Sequence, residues 1–111
     1  MECTMEVKQL CSASMATGAG SSFKLPGWRM ALGSIPIQIY TTQATAFVGT
    51  VKLQGTIFTG ADVAAGINHW SDINGAVWTA ETIDAVFAQP TYVRTYITAY
   101  TSGQISVRIG F

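Results

Sequence analysis

From residue 35 onward the pattern is β, and it is plainest over the last twenty residues, where apolar and polar positions alternate with a period of two. That is the pattern of a strand with one face on a core and the other toward solvent. Val, Ile, Thr, Tyr and Phe dominate these runs, and Gly or Pro punctuates them, as suits half-buried pleated surfaces. The pattern predicts strands over residues 35–40, 46–58, 83–87, 91–100 and 104–111. The second is long, and Gly49 or Gly55 is expected to mark a bulge or corner in it. Residues 79–87 carry a competing signal, because Thr79 in a capping position and Glu81 in a first turn suit a short helix. The expected fold is all-β, a single antiparallel β-sandwich or jelly-roll-like domain.

The last twenty residues are the most legible. Val93, Thr95, Ile97 and Ala99 occupy one face of a strand, and Ile105, Val107, Ile109 and Phe111 one face of the next. Thr101-Ser102-Gly103 joins them. A two-residue Ser-Gly loop would place Arg94, Tyr96, Thr98 and Tyr100 on the face of the second apolar set. A three-residue loop opposes Tyr100 with Gln104 and stacks the two apolar sets on one face, with Gly103 in a left-handed position. The second register is the expected one. Its outer face carries Tyr92, Arg94, Tyr96, Tyr100, Gln104 and Arg108. Tyrosine and arginine are enriched at interface hot spots, and this face is read as an interface. The alternative is a solvated face on which rings cover neighbouring strands and arginine stems lie flat.

Residues 1–34 show no such alternation and read as an irregular N-terminal arm, set apart from a β-sandwich domain over residues 35–111. Residues 12–22 are small and Gly/Ser-rich, as a loop or linker would be. Phe23, Leu25, Trp28, Met30 and Leu32 then bring large apolar groups beside backbone breakers. These side chains need a destination, either a neighbouring subunit or the chain's own sandwich. They are read as arm anchors at an intersubunit contact, with intramolecular packing as the alternative.

Composition sharpens the picture. Apolar residues are 49% of the 111 and charged residues 11%, with six basic and six acidic groups cancelling. A folded monomer of this mass exposes roughly 5,900 Å², so charges are sparse and self-association at neutral pH is favoured. The absence of a basic excess argues against nucleic acid as a partner, although Tyr92-Val93-Arg94-Thr95-Tyr96 has the basic–aromatic interleaving of single-strand binders. No apolar run reaches the length of a membrane span. The first twenty residues contain Glu2 and Glu6 and no apolar stretch, unlike a secretory leader. Cys3 and Cys11 form no ligand set and read as free thiols of a reducing compartment, with a local disulfide as the alternative.

Candidate chemistry is thin. His69 is the sole histidine, and Asp62 and Asp72 share its loop, so a base oriented by a carboxylate is one reading. No residue is marked as an activated nucleophile, and no phosphate loop, nucleophile elbow or zinc-protease motif occurs. The expectation is that the chain is not an enzyme. Asp62, Asn68, Asp72 and Asn74 offer oxygens for calcium, but not at EF-hand spacing. Turn chemistry explains them as well, since Asn74-Gly75 is a turn dipeptide. No cofactor and no metal are expected. Trp70 reads as a core or corner anchor, and either it or Trp78 could instead serve a sugar as a platform beside Asp72 and Asn74.

Four segments together resemble a family. Gly49-Thr-Val-Lys-Leu-Gln-Gly-Thr56, Trp70-Ser-Asp-Ile73, Pro90-Thr-Tyr-Val-Arg94, and Thr101-Ser-Gly103 followed by Ile105, Val107 and Ile109 look like the small β-sandwich virion proteins of tailed bacteriophages. The resemblance covers residues 45–111 and leaves residues 1–34 unmatched. It implies an assembly role: a homotrimeric capsid decoration (cement) protein, with a tail or neck component or a carbohydrate-binding adhesion module as alternatives. The implied partners are the chain itself and the major capsid protein or other virion proteins. The implied location is the virion, assembled in the bacterial host cytoplasm.

Overall fold

The computed structural model describes residues 6–26, 33–64, 69–88 and 90–111. Alternation decides which side of each strand is buried. In β4 (Ile35–Tyr40), Ile35, Ile37 and Ile39 are buried while Pro36, Gln38 and Tyr40 are half-exposed. β9 (Ile105–Gly110) repeats this with Ile105, Val107 and Ile109 inward. β8 (Tyr92–Ser102) does so with Val93, Thr95 and Ile97, and β5 (Val48–Thr56) with Val51 and Leu53. Each apolar row needs a facing layer. Two antiparallel sheets supply it for each other and enclose one core.

The first sheet has the order β1 (Val7–Ser14), β9, β4, β7 (Thr82–Val86). The second runs β2 (Gly18–Ala19), β8, β5, β6 (Ser71–Trp78), and β3 (Phe23–Lys24) also pairs with β8. A short helix, α1 (Gly60–Ala64), lies between β5 and β6. Thr59 and Asp62 cap it reciprocally. The Thr59 hydroxyl donates to Asp62 Oδ2 at 2.8 Å, and the Asp62 amide donates back to Thr59 Oγ1 at 3.2 Å, which satisfies donors left free in a first turn.

The all-β sandwich is as the alternation implied, but three local expectations change. First, β8 and β9 do not form a hairpin. β8 pairs with β5 in one sheet and β9 with β1 and β4 in the other. The apolar rows 93–97 and 105–109 do meet, but across the core rather than side by side. Alternation specifies which face is buried, not which strand is the neighbour. The chain changes sheets at Gly103, which has φ +87°.

Second, the N-terminal segment is not an arm apart from the sandwich. β1 lies along β9, and the amide of Glu6 donates to the Phe111 carbonyl while the Phe111 amide donates to Glu6, both at 2.8 Å. Leu10 and Leu25 are buried in the core. The Phe23 ring packs on Phe111, with centroids 5.2 Å apart. The apolar groups of this segment complete their own domain. Trp28, Met30 and Leu32, the remaining arm anchors, lie outside the described residues, as does Cys3. Cys11 is a free thiol that points to the Ile105 carbonyl at 3.7 Å.

Residues 82–86 form the strand expected over 83–87 rather than the competing helix, held by pairing from Ile35–Val86 to Ile39–Thr82. Val86 faces the core opposite Ile35. Third, β6 contains Asn74-Gly75, expected as a simple turn. The Gly75 φ of +79° instead coincides with a slip in the β5–β6 register between Lys52 and Gln54.

Candidate functional site

The expected single Tyr/Arg face is two faces on opposite sides of the sandwich. Arg94 and Tyr96 lie on the outer side of the second sheet. Arg108 lies on the outer side of the first, because β9 belongs to the other sheet. Tyr100 belongs to neither. The register of β8 on β5 slips between Thr50 and Val51, which inserts Thr98 and turns Tyr100 toward the core. Its hydroxyl donates to the Gly103 carbonyl at 2.7 Å, bracing the corner. Tyr92, half-buried opposite Thr56, places its hydroxyl close against Gly60.

On the second sheet a polar row runs across three strands: Asp72 of β6 opposes Gln54 of β5, which opposes Arg94 of β8. Arg94 Nε donates to Gln54 Oε1 at 2.9 Å, and Gln54 Nε2 donates to Asp72 Oδ1 at 2.9 Å. Lys52 closes the row with a 2.8 Å ion pair to the other Asp72 oxygen. The Arg94 guanidinium lies 4.7 Å from the Trp70 ring centroid and 5.8 Å from that of Tyr96, within cation–π range. Desolvation by these neighbours pulls Arg94 below its ordinary pKa, partly offset by Tyr96. Trp70 is therefore a half-exposed stacking partner rather than a core anchor. Trp78 is buried and donates Nε1–H to Asp84 Oδ2 at 3.0 Å, so only Trp70 remains as a sugar platform.

The loop of candidate chemistry resolves into separate duties. Asp62 caps α1 and Asp72 serves the Lys52–Gln54 row, so neither carboxylate is left to orient His69. His69 is exposed and lines an open cleft of about 440 Å³ with Ile57, Phe58, Ser71, Ile73 and Pro90. Among the described residues no three His, Cys, Asp or Glu side chains gather as a metal set. Asn68 of the proposed calcium ligands lies outside the described residues. No described helix is long and apolar enough to cross a membrane.

The outer face of the first sheet is different in kind. Successive strands place Gln9, Arg108, Gln38 and Ile83 in one row, and Val7, Gly110, Pro36 and Ala85 in the next. Arg108 is the only charge in these two rows. Its guanidinium lies 4.5 Å from the Tyr40 ring centroid, and Nη2 donates to the Tyr40 hydroxyl at 2.8 Å. That hydroxyl donates in turn to Gln9 Oε1 at 2.9 Å. Among the described residues, Arg108 Nε is buried with no hydrogen-bond partner. Val7 is 58% exposed and Ile83 76%. The solvent face of an antiparallel sheet is ordinarily polar, and this one is apolar beyond the Gln9–Arg108–Gln38 row and holds a single cation in these two rows.

Asp72 and Asp84 are both held below the usual carboxylate value. For Asp72 the cause is hydrogen bonding from Lys52 and then Gln54; for Asp84 it is Trp78 and then the Ala85 amide. A carboxylate with a depressed folded pKa contributes stability above its unfolded pKa and loses it as pH falls through the folded one. Melting temperature is expected to be level near neutrality and to fall below about pH 4. The Asp72→Asn, Asp84→Asn double variant should be less stable at neutral pH and lose less on acidification. An unchanged acid slope in thermal melts would contradict this assignment.

No protein-family model matches the chain, and no curated protein matches it as a relative.

Proposed function

We propose that this chain is a non-enzymatic virion structural protein, a capsid decoration protein that assembles as a homotrimer against the major capsid protein. The observation that carries the reading is the outer face of the first sheet, where Val7, Pro36, Ala85 and Ile83 form an apolar margin to the Gln9–Arg108–Gln38 row, in which Arg108 Nε has no partner among the described residues. Such a face gains by being covered. Apolar area removed from water stabilises by roughly 25 cal/mol per Å², before association costs. A carboxylate or carbonyl from a neighbour would pair with the half-exposed guanidinium. The low charge of the whole chain, 11%, and its likeness over residues 45–111 to small phage sandwiches support the same role.

Light scattering after size exclusion tests the proposal. The expected species has three times the 11.8 kDa chain mass. Val7→Lys with Arg108→Glu should dissociate it while leaving the fold intact, since both side chains point away from the core. A larger ring would move the role to a tail or neck component. A wild-type protein that stays monomeric at high concentration overturns the self-assembling decoration role.

A second reading, a carbohydrate-binding adhesion module, draws on half-exposed Trp70 and on the open cleft lined by its chain neighbours His69 and Ser71. It predicts sugar-dependent quenching of tryptophan fluorescence that Trp70→Ala abolishes. A glycan panel without response removes it.

A further inference from the structure

β7 ends the first sheet, and among the described residues no strand pairs with its other edge. An edge strand with apolar side chains and free backbone groups is a template for another strand. Ile83, Ala85 and Phe87 point outward from β7, and Ile83 and Phe87 are 76% and 82% exposed. The edge carries no lysine, proline or bulge, the usual protections. It is closed by side chains instead. The amide of Ala85, one residue past the strand's middle and opposite Pro36, donates to its neighbour Asp84 Oδ1 at 2.8 Å. Thr82 Oγ1 lies 3.4 Å from the Ile83 carbonyl. Asp84 is fixed in place by its other oxygen, which accepts from Trp78 Nε1.

We propose that β7 is a pairing edge for a second copy of this chain, in antiparallel register about Ala85, and that the Asp84 carboxylate holds this edge closed. The register follows from the residues. With the two-fold on Ala85, Ile83 of each copy opposes Phe87 of the other, so the apolar positions match twice over. Asp84, the one charged residue of the strand, then opposes Val86 instead of a second Asp84, and no like charges meet. Because the Ala85 amide faces outward, so do the backbone groups of Ile83, two residues away. The hydrogen-bonding positions of the edge are thus the apolar ones. Pairing would join the two first sheets into one of eight strands and make their apolar outer faces continuous. The contact is small beside the roughly 1,600 Å² of a standard interface, so it forms in proportion to concentration. It does not depend on the virion role. In a homotrimer it would link neighbouring trimers, since an isologous contact cannot close a three-fold ring.

Asp84→Asn tests the closure. The asparagine oxygen can accept from Trp78 Nε1 or from the Ala85 amide, while its NH₂ can accept from neither. Sedimentation equilibrium should show the wild-type species doubling in mass in the variant, with self-association at least about tenfold stronger because a backbone donor is freed in each copy. Ile83→Lys combined with Asp84→Asn should have the same mass as Ile83→Lys alone, without the doubling. A second measurement uses the native carboxylate. In a Cys3→Ser, Cys11→Ser background, Ala85→Cys should oxidise to a disulfide-linked dimer at high concentration, because paired residues bring their Cα atoms to about 5.5 Å. Thr82→Cys, which would face Ala88, should not. A folded Asp84→Asn protein of unchanged mass, or equal cross-linking at positions 82 and 85, overturns the proposal.

Discussion

Gly103→Ala is expected to destabilise the protein by about 2–5 kcal/mol, from left-handed backbone strain and overpacking together. The residue has φ +87°, and a Cβ there would lie 2.6 Å from Phe47 Cα and 3.0 Å from Phe47 Cβ. The first of these is backbone and cannot swing aside. Phe47 is itself buried in the core. Gly103 is where β8 leaves one sheet and β9 enters the other, so neither conformation nor contact can relax without shifting a sheet. Gly75→Ala is the control: its φ is +79°, but no atom lies within 4 Å of the added carbon. It should cost only the conformational part, about 1 kcal/mol. Urea midpoints of the two variants separate strain from collision. Equal losses would mean that Phe47 yields.

Trp78→Ala should cost about 3–5 kcal/mol, the range for deleting a large aromatic from a core. Trp78 lies opposite Val51, which is fully buried, and joins the cluster that includes Leu53 and Ile97. Trp78→Phe keeps most of the ring and loses the donor to Asp84. Its smaller cost should come with a shallower fall in stability on acidification, since Trp78 is the largest cause of the lowered Asp84 pKa. Chemical denaturation at neutral and acid pH measures both. A Trp78→Phe protein with the wild-type acid profile would show that the hydrogen bond does not hold the carboxylate.

The β class was legible because β4, β5, β8 and β9 each place an unbroken apolar row on one side. Strand partnership was not, since the same row suits a hairpin mate or a facing sheet. Only the corner at Gly103 distinguishes them. β1 was illegible for a related reason. In Val7–Ser14 only Leu10 is fully buried, and its small polar residues are extended because β9 offers an edge, not from their own preference. β6 was hidden by Asp72, Asn74 and Gly75, residues that ordinarily mark turns. Of the surfaces, Arg94 with Tyr96 was readable from spacing, because residues two apart share a strand face. Trp70 over Arg94, and Tyr40 with Gln9 beside Arg108, required the sheet order. The closed edge did leave a sequence signal: in residues 83–87, Ile83, Ala85 and Phe87 are apolar on one face while Val86 is apolar on the other.

The pairing of β1 with β9 also sets the order of folding. Gln9 donates to the Val107 carbonyl across 98 residues of chain. During synthesis the first strand to emerge therefore waits for the last. The second sheet can form its β5–β6 and β5–β8 ladders earlier, while β1 remains without a mate. Contacts of such sequence separation are entropically slow to close. The nascent chain is consequently most exposed to misassociation just before β9 appears, when residues 7–14 and the edge of β4 that pairs with β9 are both without a mate.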